Sequence, residues 1–124
     1  MSSLDTPTLA KLKSLTEAGF EQDVLNHHHD HLVLFWSPWS KDCMALMNDM
    51  KTYVETYGEA YSELYIGSLN IEENPILSIQ YNICTLPALV HFKDGAIHTS
   101  YEGYLSKHEI LEIFDSLWAK TDDD

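Results

Sequence analysis

The residues of this chain that could carry thiol chemistry are two cysteines and a serine close to one of them. Ser40 stands three positions before Cys43, where a helix is predicted to begin. Free amides and the helix dipole stabilise a thiolate at such a position. A serine hydroxyl cannot exchange with a disulfide, so the pattern predicts that Ser40 is an N-cap, which stabilises a helix by about 1 kcal/mol relative to alanine.

The two cysteines have different predicted surroundings. Cys43 falls on an apolar helical stripe with Leu46 and Met50, and burial raises a thiol pKa, so we expect a poor nucleophile. Cys84 lies three residues before Pro87. It is an accessible thiol that could form a mixed or intermolecular disulfide, or a free cysteine of no consequence, which we favour. A disulfide between Cys43 and Cys84 remains an open question, because it requires Cα atoms within about 7 Å and the sequence does not give that distance.

The elements that must position these residues follow from the apolar periodicity. In chain order they are strand 11–15, helix 17–28, strand 32–36, helix 40–57, strand 64–69, helix 75–81, strands 88–92 and 96–101, and a helix opened by the capping box at 106–109. Strand 32–36 is apolar throughout, which is typical of a central strand covered on both faces. The alternation predicts an α/β fold in which the last two strands form an antiparallel hairpin around 93–95.

Length and charge limit the class of protein. The 124 residues are 44% hydrophobic and carry 7 Lys+Arg against 20 Asp+Glu, a net charge of -13. We expect one domain over 1–124, ordered from about residue 8 to about residue 120, with a short acidic C-terminal tail. The charge disfavours nucleic-acid and anionic-membrane partners and favours a neutral or basic protein. Without a signal-peptide or membrane-spanning pattern, the expected location is the reducing cytoplasm.

Residues 27–31 read His-His-His-Asp-His, which are ligand types for zinc, copper or nickel. Consecutive residues on a turn rarely converge on one ion. The segment also lies at the far end of strand 32–36 from Ser40, about 15 Å away at about 3.3 Å per residue. We therefore interpret it as a solvated loop whose charge changes near pH 6, and we expect neither a metal nor a cofactor.

Several spaced motifs together resemble the thioredoxin family over about 90 residues. In order they are Phe35-Trp36, Trp39 with the helix entry Ser40-Lys41-Asp42-Cys43, Leu69-Asn70-Ile71, Asn74-Pro75, Tyr81-Asn82-Ile83, Leu86-Pro87, Phe92-Lys93-Asp94-Gly95 and Gly103. The resemblance implies a thioredoxin fold, with a central mixed sheet of about five strands flanked by four helices. It also implies that Pro87 is a cis-proline beside the Ser40–Cys43 motif.

Three positions depart from the family. The nucleophilic cysteine of Cys-x-x-Cys is replaced by Ser40, whereas Cys43 matches the second, resolving cysteine. A buried aspartate and a lysine, thought to relay a proton to that thiol, are replaced by Leu34 and Ser68. One such loss could be an engineered change. Loss of all three predicts that the chain is not an ordinary disulfide reductase.

The motif Trp39-Ser40-Lys41-Asp42-Cys43 is also similar to the thioredoxin-like domain at the front of multidomain monothiol glutaredoxins. No glutaredoxin domain follows in this sequence. The iron–sulfur chemistry of those proteins is therefore not expected here.

An apolar rim is expected beside the motif, formed by Trp36, Pro38, Trp39, Leu86 and Pro87. The alternative is that Trp36 belongs mostly to the core and only Trp39 is exposed. In thioredoxins such a surface holds an extended segment of a partner. The favoured hypothesis is a protein-binding, chaperone or adaptor module in redox homeostasis. The residues predicted to contact the partner are Pro38, Trp39, Lys41, Asp42, Cys84, Leu86 and Pro87.

The alternative hypothesis is a monothiol redox protein. It would use Cys43 or Cys84 for mixed-disulfide or glutathione-linked exchange. We expect a monomer, or a weak dimer joined through Cys84.

Overall fold

Strands and helices alternate along the described part of the chain, residues 12–61 and 65–118 of a computed structural model. The strands are β1 (Lys13–Ser14), β2 (His31–Trp36), β3 (Tyr65–Asn70), β4 (Ala88–Lys93) and β5 (Ala96–Glu102). The helices are α1 (Glu17–Phe20, continued by the π-helical turn Glu21–Leu25), α2 (Lys41–Tyr57, followed by the 3-10 turn Gly58–Ala60), α3 (Pro75–Gln80) and α4 (Lys107–Leu117). The α/β class is confirmed. Two predicted strands begin at positions 11 and 64, which lie outside the described residues. The predicted acidic tail also lies outside them.

One mixed sheet holds the five strands in the order β1-β3-β2-β4-β5. Strand β2 runs parallel to β3 and antiparallel to β4. The β4–β5 hairpin turns at Asp94 and Gly95, whose φ angles are 52° and 80°, as the predicted tight turn requires. Strand β2 is therefore central, and residues 37–39 connect its last residue to Ser40.

Alternating side chains of β2 supply two cores. Leu32 and Leu34 pack with residues of α2 and α4, while Val33 and Phe35 pack with residues of α1 and α3. The sheet is thus covered on both faces, which explains why β2 is apolar at successive positions. None of the described helices is long and apolar enough to cross a membrane.

Several element ends differ from the prediction: β3, β4 and β5 each end one residue later, β1 and α3 end one residue earlier, and two further ends change at either side of residues 27–31. The first helix stops at Leu25 rather than at residue 28, and the Asn26 amide donates back to the Glu21 carbonyl at 2.8 Å. Strand β2 begins one residue early, at His31, which pairs with Tyr65 of β3 and Phe92 of β4. The predicted capping box is confirmed: the side chains of Ser106 and Glu109 each bond the other residue's amide.

Candidate functional site

Ser40 is the N-cap of α2, as predicted. Its backbone is extended, and its Oγ accepts the Cys43 amide N–H at 3.2 Å. The Ser40 carbonyl accepts the first helical bond, from Met44 at 3.0 Å. The Ser40 hydroxyl therefore has a structural function, as the cap of α2, that needs no redox chemistry.

Ser40→Ala should lower the free energy of unfolding by about 1 kcal/mol, because the Cys43 amide loses its acceptor. Ser40→Asp is the matched control: it keeps a capping oxygen and places a negative charge near the positive end of the helix dipole. Urea unfolding followed by tryptophan fluorescence measures both. A Ser40→Ala protein as stable as the wild type would show that the cap contributes nothing.

The two cysteines are free thiols in opposite surroundings. Cys43 is 0% exposed and lies on the buried face of α2 with Leu46 and Met50, as the apolar stripe predicted. Cys84 is exposed, and its sulfur lies 3.6 Å from the Asn82 carbonyl oxygen. Reagents in solution can therefore reach the Cys84 sulfur but not the Cys43 sulfur.

Alkylation should label Cys84 alone in the folded protein, because iodoacetamide cannot reach a fully buried sulfur. Mass spectrometry of the native wild type should show one adduct, and after denaturation two. Cys84→Ser should show none until it is unfolded. Labelling of Cys43 at the rate of Cys84 under native conditions would contradict the placement of Cys43 in the core.

The resemblance implies a proton relay at two positions, and a leucine and a serine on neighbouring strands occupy them. Leu34 of β2 and Ser68 of β3 are register partners, and both are buried. Leu34 belongs to the same core cluster as Leu46 and Met50 of α2. Neither side chain is ionisable at neutral pH, so neither supplies the carboxylate or the ammonium group of such a relay.

The predicted apolar rim is exposed only in part. Trp39 is 81% exposed and Pro38 is exposed, but Leu86 is half-buried and Pro87 is buried. Trp36 is half-buried against the α2 and α4 core, because as the last residue of β2 it has the same orientation as Leu32 and Leu34. The expectation that all five residues are exposed is therefore wrong. The alternative holds in part: Trp36 packs against the core, but Pro38 is exposed as well as Trp39.

Pro87 follows a cis peptide bond, as predicted. Its carbonyl accepts the Gly103 amide at 2.8 Å, which attaches the start of β4 to the residue after β5. Lys41 and Asp42, the other predicted contact residues, are exposed in the first turn of α2.

Side chains that sequence reasoning missed fix the loop of Trp39. The Ser37 Oγ accepts the Trp39 amide at 3.1 Å and donates to the Glu72 carboxylate at 3.4 Å. The Ile71 amide bonds the Trp36 carbonyl at 2.9 Å. The contact between Ser37 and the Trp39 amide has a local sequence signal, because a serine hydroxyl commonly accepts the amide two residues further on. Glu72 is 35 residues away from Ser37 and gives no local signal.

The comparisons with known proteins agree with this geometry. The thioredoxin family model matches residues 11–116, and the chain belongs to the thioredoxin family. It is 33% identical over 105 residues to the thioredoxin of Buchnera aphidicola subsp. Acyrthosiphon pisum (strain APS), covering 85% of this chain and 94% of that protein. It is 31% identical over 103 residues to the thioredoxin of Pseudomonas aeruginosa, covering 83% and 93%. The predicted thioredoxin fold is confirmed.

Proposed function

We propose that this thioredoxin-family protein lacks dithiol chemistry and binds an extended segment of a protein partner. The binding site is the Trp39 surface, which comprises the exposed Pro38, Trp39, Lys41, Asp42 and Cys84 together with the half-buried Leu86 and the buried Pro87. The observation that carries the proposal is the combination of an indole 81% exposed with a serine, three positions before Cys43, that caps the helix.

The exposed indole supports a binding role on energetic grounds. An exposed tryptophan side chain does not contribute the hydrophobic free energy that its burial would supply. Tryptophan is also enriched among the interface residues that contribute most of the binding energy. The Ser37 bond to the Trp39 amide holds this loop before a partner arrives. A loop that is already ordered loses less conformational entropy on binding.

The charge distribution supports a neutral or basic partner. The chain carries a net charge of -13, and on the Trp39 surface Lys41 is countered by Asp42. Glu72, which is bonded to Ser37, places a further carboxylate beside the Trp39 loop. Charges of one sign steer oppositely charged partners and discriminate against like-charged ones.

The contacts of Ser40 and Cys43 support the proposed loss of dithiol chemistry. Thiol exchange needs a thiolate that can reach its target. Ser40 supplies a hydroxyl, and the Cys43 sulfur has no access to solvent. The Ser-x-x-Cys motif, similar to that of the front domain of monothiol glutaredoxins, supports an adaptor role in redox homeostasis.

A pull-down with immobilised wild type, Trp39→Ala and Ile79→Ala tests the binding role. Ile79 is the matched control, because it is 77% exposed and apolar but lies on α3. A specific partner should be captured by the wild type and by Ile79→Ala, and lost from Trp39→Ala. Capture of the same proteins in the same amounts by Trp39→Ala would contradict the proposal.

A monothiol redox function remains the second candidate, and the exposure of Cys84 favours it. The rate of alkylation against pH, measured for the wild type, Cys43→Ser and Cys84→Ser, separates the two functions. A thiol that titrates below about pH 7 would support the redox function. Two thiols that react slowly at neutral pH would support binding alone.

A further inference from the structure

Two histidines are buried on neighbouring strands of the sheet. His31 of β2 is 7% exposed, and His91 of β4 is 5% exposed. The His91 Nε2 lies 2.7 Å from an Asp30 carboxylate oxygen, so a proton on that ring would have a counter-charge. His31 has no such partner, because its buried Nδ1 makes no hydrogen bond with the described residues. The prediction of a solvated loop over 27–31 is therefore wrong for His31.

The surroundings of His31 are rich in basic groups. Its ring centroid is 5.3 Å from that of His27 and 5.0 Å from that of Tyr65. A half-open cavity of about 240 Å³ adjoins the ring. The titratable groups around His31 are Lys13 of β1, Asp23 of the π-helical turn, His27 and His29 of the segment before β2, and Tyr65 of β3. Among these described groups, Asp23 is the only carboxylate that could stabilise a charged His31 ring.

Asp23 already has a cationic partner in the structure. The Lys13 ammonium lies 3.4 Å from its carboxylate, and this contact joins β1 to the π-helical turn. Strand β1 has two residues at the edge of the sheet, and they pair with Gly67 and Ser68 of β3. A strand this short makes few hydrogen bonds, so its attachment is sensitive to the loss of a further contact.

We propose that His31 is an acid-sensitive switch that loosens β1 from the edge of the sheet. In the closed state its ring is neutral and buried. In the open state the protonated ring turns into the adjoining cavity and contacts the Asp23 carboxylate, which then no longer holds Lys13. The ring and the Lys13 ammonium carry the same charge in that state, which further disfavours β1 in its place. The switch lies at the opposite end of β2 from the Trp39 loop, so it does not rest on the proposed partner binding.

The direction of the pH effect follows from the surroundings of the ring. Burial, together with the charges of His27, His29 and Lys13 and against that of Asp23, lowers the pKa of His31 from 6.5 to about 4. A ring that reaches water in the open state titrates at about 6.5 or above. The open state therefore binds a proton that the closed state excludes, and its share rises as the pH falls from about 6.5 towards 4. Between pH 7.5 and pH 5.0 the opening equilibrium should shift by about thirtyfold or more.

Amide hydrogen exchange of the full chain at pH 7.5 and pH 5.0, followed by NMR and corrected for intrinsic exchange rates, tests the switch. The Leu15 amide donates to the Ser68 carbonyl at 2.8 Å, and its protection should fall about thirtyfold or more at pH 5.0 while that of α2 does not. His31→Phe keeps a ring that cannot be protonated, so this loss should disappear. His108→Phe is the matched control: it removes an exposed histidine of α4 and should retain the loss.

Asp23→Asn tests the exchange of partners. It should lower the protection of Leu15 already at pH 7.5, because Lys13 loses its counter-charge, and it should make the further loss at pH 5.0 smaller. Unchanged protection at pH 7.5 would count against the proposal, since the Lys13–Asp23 contact would then not hold β1.

Two exchange results would overturn the proposal. One is an equal loss of protection in His31→Phe and in the wild type. The other is a loss as large in α2 as at Leu15, which would show global acid unfolding. NMR titration of the imidazole signals of the wild type is a second readout that does not depend on the folding of any variant. The His31 ring should remain mostly neutral at pH 5.0, and a ring that titrates near pH 6.5 would contradict the switch.

Discussion

Leu34→Asp should lower the free energy of unfolding by about 3–5 kcal/mol at neutral pH, because it places an unpaired carboxylate in the interior. Leu34 is 0% exposed within an apolar cluster, and its register partner across the sheet is Ser68. Burial raises the pKa of the new carboxyl. The deficit should therefore be largest above that raised pKa and should shrink as the pH falls through it. Urea unfolding at neutral and at mildly acidic pH measures both effects.

Leu34→Met is the matched control for this prediction. It keeps the approximate volume and the apolar character of the side chain, so its cost should stay below about 1.5 kcal/mol. If Leu34→Asp were as stable as Leu34→Met, the interior beneath α2 would still hold a partner for a carboxylate. The interpretation that this region is no longer arranged for thiol chemistry would then be wrong.

Ser40→Cys should create a disulfide reductase. The new thiol would stand at the N-terminus of α2, where free amides stabilise a thiolate, three positions before Cys43. In an insulin-reduction assay with dithiothreitol, we expect a rate about tenfold or more above that of the wild type. Leu34 and Ser68 offer no group to relay a proton to Cys43, so the variant should remain slower than a thioredoxin.

Ser40→Ala controls for the lost cap in that assay, because it removes the hydroxyl without adding a thiol. It should reduce insulin no faster than the wild type. A Ser40→Cys protein as inactive as Ser40→Ala would show that the serine at this position does not by itself account for the proposed lack of dithiol activity.

Local patterns predicted most of the fold. The apolar run over 32–36 indicated a central strand because both faces of β2 are covered. The turn at Asp94 and Gly95 could be predicted because glycine tolerates a positive φ. The N-cap role of Ser40 was equally visible, since a cap depends on residues only three positions apart.

Contacts between distant residues could not be predicted in the same way. Ser37 and Glu72 meet because β2 and β3 end at the same edge of the sheet, and their pairing leaves no periodic signal. The burial of His31 depends on Tyr65, in a different strand. The orientation of Trp36 could not be predicted without the register of β2, because a shift of one residue would turn its ring to the other face of the sheet.

Insulin reduction by the unmodified chain in the presence of dithiothreitol is the most direct test of the central claim that this thioredoxin-family protein has no dithiol activity. Ser40→Cys, measured beside it, shows that the assay can detect activity on this scaffold. We predict that the wild type precipitates insulin no faster than dithiothreitol alone. A wild-type rate like that of a thioredoxin would contradict the claim and would require Cys43 or Cys84 to act as a nucleophile.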